Sequence, residues 1–309
     1  MIGAVIDIGT LKVKCLVARV DKSGSIKPVY KSNTLTCFGV GIDENQGRVQ
    51  EKFLIETINE LKKVKLLLKE YQVSRYRVVS THAMRRAKNQ TYILKRIKDE
   101  VGFEVVNLSQ EDEARLFYSA VMRGFNRSDN RYAVVDMGGG SVQVLIGRPD
   151  KLEFSHLMQT GAQLLHDNFT NDPINELSFT TEADLERMRN YIVEQLLPVE
   201  RNLQVPIIYG SSNIIDLMQA IKLFLEPYDE SRTHPYKVYT RQLQDFIKKI
   251  LPLKYREREK MFTFQKGYMW GIDKAFLNMV TIAEHLQSPY IIPSNANIAE
   301  GIIGVLAGR

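Results

Sequence analysis

Cysteine is almost absent. Cys15 and Cys37 are the only two among 309 residues, and neither stands in a metal-ligand spacing. A cysteine-built metal motif is therefore excluded, and a reduced, cytoplasmic setting is expected. Long apolar runs are missing too: none approaches the roughly 18 to 20 residues that a membrane span needs, so no membrane partner is expected. Residues 1–8 lead straight into a strand-like pattern, without a basic stretch followed by an apolar one, so no leader peptide is expected. Charge of one sign is not massed anywhere. The 42 Lys and Arg outnumber 36 Asp and Glu for a net charge of +6, scattered along the chain. Such an excess suits a polyanionic partner, and it equally suits a merely solvated basic surface. Nucleic acid is not the expected polyanion, because no recognition motif is present. Lys62, Lys63 and Lys65 alternate with helix-core positions and read as one solvated helix face.

What is present points to about two domains, on a prior of roughly 150 residues each. Residues 3–8, 13–20 and 26–35 read as three successive strands, with tight turns after 8 and at 21–24. Residues 50–71 form a helix, because Leu54, Ile58, Leu61, Val64, Leu68 and Tyr71 recur at spacings of three and four. A strand at 77–80, a helix at 89–101 and a strand at 103–108 follow. Ser109 reads as a helix N-cap, with Glu111, Asp112 and Glu113 complementing the dipole of the first turn. The polar segment 123–130 marks a boundary between domains 1–124 and 125–297, with a last helix at 298–309 packing back on the first domain. Beyond the boundary come strands at 132–135, 142–146, 206–209 and 290–292. Helices are expected at 182–197, 214–224, 241–250, 270–286 and 299–306.

One pattern occurs twice. Asp7-Ile8-Gly9-Thr10 and Asp136-Met137-Gly138-Gly139-Gly140-Ser141 each join a buried strand to the next one. Glycine permits positive φ and a close approach of the backbone to a ligand. Successive N–H groups in such a turn make a nest for an anion. An aspartate at the strand end adds a ligand for Mg²⁺, which favours one or two carboxylates plus phosphate oxygens. The same residues fit plain hairpin turns in which each aspartate satisfies turn amides. Three adjacent glycines are costly in a plain hairpin, so the second loop leans towards a ligand.

Ala4-Val5-Ile6-Asp7-Ile8-Gly9-Thr10, Phe38-Gly39-Val40-Gly41-Ile42, Ser80-Thr81-His82-Ala83-Met84-Arg85, Ser109 to Arg115, Val134 to Ser141, His234-Pro235-Tyr236 and Ala299-Glu300-Gly301 run in one order along nearly the whole chain. In that order they resemble the exopolyphosphatase/guanosine pentaphosphate phosphatase (Ppx/GppA) family, of the actin-like ATPase (ASKHA) superfamily. The resemblance implies an α/β fold of two RNase H-like, actin-like lobes with a central interdomain cleft. It implies hydrolysis of the terminal phosphoanhydride of inorganic polyphosphate or pppGpp, with Mg²⁺ (or Mn²⁺) as cofactor, and is compatible with a homodimer. It assigns Glu113 as the catalytic base that activates water. It assigns Arg85, Gly138, Gly139 and Ser141 to phosphate and Asp136 to metal; Asp7, Gly9, Thr10, Lys12, Gly140 and Gln143 are further candidates for phosphate, and Asp7 also for metal.

The departures from the family pattern gather on the expected ligand face. Gln143 stands where a glutamate is expected, and an amide can neither take a proton nor neutralise a cation. Leu11 and Lys12 replace a polar pair, though Lys12 can meet phosphate as a point charge. Asn213-Ile214, Gln163-Leu164 and Ala299 also depart. The alternative expectation is therefore a catalytically reduced member that holds polyphosphate or a guanosine alarmone as a sensor. A sugar-kinase-like user of ATP is a third reading, disfavoured by the eroded 210–213 loop.

Overall fold

The structure, a computed structural model, describes residues 1–21, 26–123, 125, 130–211, 213–228, 234–264 and 267–308. The turn expected at 21–24, the boundary segment 123–130 and the 210–213 loop lie wholly or partly outside them. The chain divides into two units, residues 1–120 with 298–309, and residues 121–297.

The first unit is built on a five-stranded sheet. Strands β1 (Ile2–Ile8), β2 (Lys12–Val20) and β3 (Ile26–Leu35) make an antiparallel meander. Helix α1 (Glu51–Glu70) leads to β4 (Arg75–Ser80), parallel to β1. Short α2 (His82–Arg86) and α3 (Gln90–Val101) lead to β5 (Val105–Asn107), parallel to β4. Helix α4 (Gln110–Met122) follows, and the division between units falls inside it. The strand order is β3-β2-β1-β4-β5.

The second unit repeats this order. Strands β6 (Tyr132–Met137), β7 (Val142–Arg148) and β8 (Lys151–Met158) form the antiparallel meander. Helices α5 (Ala162–Phe169) and α6 (Glu182–Gln195) precede β9 (Ile207–Gly210), which is parallel to β6. Helix α7 (Ile214–Ala220), the small hairpin β10 (Glu226–Pro227) and β11 (Tyr236–Lys237), α8 (Thr240–Ile250), α9 (Tyr255–Met261) and α10 (Ile272–Leu286) then lead to β12 (Ile291–Ser294). The order β12-β9-β6-β7-β8 matches the first sheet strand for strand. Even the register break falls in the same place, at Val17/Ala18 in one outer hairpin and Ile146/Gly147 in the other. Helix α11 (Ile298–Leu306) belongs to the first unit. These are the two RNase H-like lobes expected from the resemblance.

Strand β1 is buried from Gly3 to Ile8, as a central strand must be. Its side chains alternate between two cores. Ala4, Ile6 and Ile8 pack with Leu54, Ile58, Ile93 and Ile97 of α1 and α3. Val5 packs on the other face with Val79, Leu108, Ile302 and Ile303, so the alternation places Asp7 on the α4 and α11 side. Helix α11 crosses α4 closely. A Cβ on Gly301 would lie 2.3 Å from Leu116 O, so glycine is the residue that admits this contact.

Several expected bounds move. The strand over 103–108 contracts to β5, because Gly102 (φ 75°) closes α3 and drops Phe103 into the core as a loop residue. The helix over 214–224 stops at Ala220, where the chain turns through Lys222 at φ 56°. The helix over 270–286 starts at Ile272, after a single 3₁₀ turn at Tyr268–Trp270. The helix over 182–197 ends at Gln195. Strand β8 and helices α2, α5 and α9 go unread in the sequence.

Candidate active site

In an α/β sheet, ligands bind outside the carboxyl ends of the parallel strands. In the first unit those ends coincide. Asp7 pairs with Val79 across β1 and β4, and Ser80 pairs with Asn107 across β4 and β5. The chain leaves β4 directly into α2, which carries Arg85. It leaves β5 into α4, whose N-cap Ser109 accepts from the Asp112 amide at 3.0 Å. Glu113 is one turn further on. Arg85 Nη1 donates to Glu113 Oε2 at 2.7 Å and to Leu108 O at 2.9 Å, so it ties the base of α4 to the end of β5. Both side chains are mostly covered, at 21% and 16% exposure.

Burial pushes the Glu113 carboxyl above its ordinary range. Arg85 opposes this, and the charge of nearby Asp7 adds to it. Burial also raises Asp7, with Lys14 opposing. Asp7 is 7% exposed, and its Oδ1 has no hydrogen-bond partner. That observation counts against the plain-hairpin reading, in which the carboxylate would cap turn amides. Lys14 lies directly across β2 from Asp7 and acts electrostatically on both acids. Lys14 is not among the residues that the sequence marks for the site. The available signal was two lysines, Lys12 and Lys14, on one face at the start of a largely apolar strand. Lys12 is half-buried, and desolvation followed by repulsion from Lys14 lowers its pKa.

The two loops are built alike. Gly9 N–H donates to Lys12 O and Gly138 N–H to Ser141 O, both at 3.0 Å. A Cβ on either glycine would sit 3.2 Å from the same carbonyl oxygen. Among the described residues, the amides of Thr10, Leu11, Gly139 and Gly140 donate to no backbone carbonyl. Their direction is set by the carbonyls beside them, because C=O and N–H point opposite ways across a trans peptide. Gly138 O accepts from the Ala162 amide, and Gly139 O from the Gln163 and Leu164 amides, at 2.8–3.2 Å. The start of α5 thus holds both carbonyls, and the Gly139 and Gly140 N–H groups face away from it. In the first loop Thr10 O accepts from Gly39 N–H at 2.7 Å, which turns the Leu11 N–H away from Gly39.

Contact at the second loop is close. A Cβ on Gly161 would lie 2.3 Å from Gly139 O and 2.4 Å from the Gly139 and Gly140 carbonyl carbons. All three are backbone atoms, so no side chain can swing aside. Gly161→Ala is expected to cost about 1–3 kcal/mol of stability and to weaken anion binding by displacing the loop. Thermal unfolding with tripolyphosphate calorimetry checks this; an unchanged midpoint and affinity would show that the loop yields freely.

In the second unit Asp136 sits at the end of β6, beside Gly210 of β9 and across from Gln143 of β7. Gln143 thus holds the position that Lys14 holds in the first unit. It is 5% exposed and its Oε1 has no hydrogen-bond partner. Asp7, Arg85 and Glu113 therefore meet in one unit, while Asp136, Gly138, Gly139, Gly140, Ser141 and Gln143 gather in the other.

The sequence pattern of the Ppx/GppA phosphatase family matches residues 16–308. The chain belongs to this family. Among its relatives, exopolyphosphatase 1 of Mycobacterium bovis is 29% identical over 173 residues, 55% of this chain and 49% of that protein. A guanosine-5'-triphosphate,3'-diphosphate pyrophosphatase of Photobacterium profundum is 30% identical over 144 residues, 47% of this chain and 28% of that protein. The matched stretch is less than half of either curated relative's length. The crystal structure of the Aquifex aeolicus Ppx/GppA family member superposes with a TM-score of 0.82 at 27% identity, covering 99% of this chain and 97% of that one. Among the described residues, no helix is long and apolar enough to cross a membrane.

Proposed function

We propose that the chain is a phosphoanhydride hydrolase that releases terminal phosphate from inorganic polyphosphate or from pppGpp. The observation that carries this reading is Glu113, a largely buried carboxyl of raised pKa on the first turn of α4, next to Asp7 and gripped by Arg85. A carboxylate whose pKa is raised towards neutrality suits a general base. The names of the exopolyphosphatase and of the guanosine-5'-triphosphate,3'-diphosphate pyrophosphatase among the relatives support the substrate class.

In this mechanism Glu113 takes a proton from the attacking water. The substrate phosphate draws Arg85 away from Glu113, which frees the carboxylate to act. In the first unit the amides of Thr10 and Leu11 with Lys12, and in the second those of Gly139 and Gly140 with Ser141, are each suited to hold phosphoryl oxygens as charge spreads over them. Among the described residues, no group of three or more His, Cys, Asp or Glu is placed to hold a metal. The donor set fits a hard ion that takes one or two protein oxygens and completes its shell with phosphate and water. Asp7 in the first unit, whose buried Oδ1 is unpartnered, and Asp136 in the second would each be a candidate donor. When bound, Mg²⁺ or Mn²⁺ supplies charge neutralisation at the phosphoryl oxygens.

Phosphate release from short-chain polyphosphate, long-chain polyphosphate and pppGpp, each with Mg²⁺ or Mn²⁺, tests the proposal. Release from at least one substrate is expected. No release from any of them, with tight binding by calorimetry, would make the chain a sensor. Gln143 favours that second reading, because a neutral amide with an unpartnered oxygen fills a carboxylate's place. Under the sensor reading, Gln143→Glu restores phosphate release. Under the hydrolase reading, it changes an existing rate.

A further inference from the structure

Asn278 lies in the middle of α10, far from both loops in sequence, and is fully buried. Its Nδ2 donates to Thr160 O at 2.6 Å and to Lys274 O at 3.3 Å, while its Oδ1 has no partner. Of the side chain's two polar atoms, only the donor is engaged. Thr160 is also fully buried, and its carbonyl is the last one before Gly161. Gly161 begins α5, abuts the backbone of Gly139 and Gly140, and leads into the three amides that hold Gly138 O and Gly139 O. A second contact lies alongside, where a Cβ on Gly271 at the start of α10 would meet the Ala162 Cβ at 3.4 Å.

We propose that Asn278 is a positioning residue for the triple-glycine loop. By pinning the Thr160 carbonyl to α10 it sets where α5 begins, and α5 in turn sets the direction of the Gly139 and Gly140 N–H groups. The buried core helix thereby fixes the geometry of an anion cradle it does not touch. A peptide plane that rotates by a few tens of degrees takes its N–H off the ligand oxygen, and hydrogen bonds weaken steeply with angle. The proposal rests on the loop's role as a phosphate cradle, but its test does not.

The variant is Asn278→Leu, which keeps the branching at Cγ and removes the amide donor. The control is Thr281→Val on the same helix. Thr281 Oγ1 donates to Leu277 O at 2.8 Å, so this control loses a buried hydrogen bond that leads nowhere near Thr160. With ¹⁵N-glycine labelling, the Gly139 and Gly140 amide resonances are expected to move in Asn278→Leu and to stay in place in Thr281→Val. Tripolyphosphate affinity is expected to fall about tenfold in the first, the loss of one well-made contact, and to hold in the second. Resonances that stay in place in folded Asn278→Leu, or that move equally in both variants, overturn the proposal. If the wild-type protein binds no tripolyphosphate, the phosphate reading fails and the resonances still decide the positioning role. Should Asn278→Leu not fold, Asn278→Ser is too short to span the contact and carries the same expectation.

Discussion

Glu113→Gln is expected to lower the rate of phosphate release by roughly 10²–10⁴, the contribution of a positioned general base. Glutamine is nearly isosteric, and its amide oxygen can still accept from Arg85, so the 2.7 Å tie between α2 and α4 survives in outline. Binding of polyphosphate is therefore expected to persist while turnover is lost. A drop in affinity that matched the drop in rate would point to a misplaced helix instead. The pH profile supplies a second readout. Glu113 must be ionised to accept a proton, so activity is lost as pH falls through its pKa. Burial places that pKa above the ordinary carboxylate range, with Arg85 pulling against it. The wild-type profile is thus expected to carry an acidic limb above the usual carboxylate range, and the residual activity of Glu113→Gln to lack it. Turnover that survives intact in the variant sinks Glu113 as the base.

Asp273→Asn is expected to cost about 3–5 kcal/mol of stability, because it leaves buried cations without their counter-ion. Asp273, Arg258 and Lys274 are all fully buried in the second unit. Arg258 Nη1 lies 3.1 Å from Asp273 Oδ2, and Lys274 Nζ lies 3.0 Å from Asp273 Oδ1. Lys274 also donates to Thr180 Oγ1 at 2.6 Å and to Trp270 O at 3.2 Å, which knits α10 to the start of α6. Burial pushes the Asp273 carboxyl up, but Lys274 and then Arg258 outweigh it and hold the pKa at about 2. The sign follows from linkage. A carboxyl depressed in the folded state contributes stability that is present above its unfolded pKa, about 3.9, and is lost as pH falls towards the folded value. Urea midpoints are expected to fall between those two values in the wild type, and to fall less in Asp273→Asn, which starts lower. A variant that loses under about 1 kcal/mol at neutral pH would show that the trio is not a counter-ion arrangement, since that is the range of surface pairs.

Much of the fold was legible because local pattern and tertiary fate agree. Leu54, Ile58, Leu61, Val64 and Leu68 mark α1 by spacing, and all are buried. Residues 26–35 read as a strand and are β3 residue for residue. Ser109 reads as a cap and caps α4. What escaped has a physical reason. Helices α2, α5 and α9 run only five to eight residues, too short for a helical period to declare itself. Strand β8 alternates half-buried Leu152, Phe154 and His156 with exposed Lys151, Glu153 and Ser155. Its mixture of charge and histidine carries little apolar signal.

The repeated aspartate–glycine turns, the buried strands that lead into them and the acidic start of α4 were fixed by the sequence itself. Each depends on neighbours within a few residues, where sterics and spacing act directly. Only the tertiary structure decided the partnerships. Arg85 reaches Glu113 across 28 positions because β4 and β5 are adjacent parallel strands that end together. Asp7 faces Lys14 because the hairpin register puts them opposite. Asn278 meets Thr160 across 118 positions because a buried helix runs beneath the second loop. Distances of that kind are set by which strands pair and which faces are buried, and no local pattern encodes them.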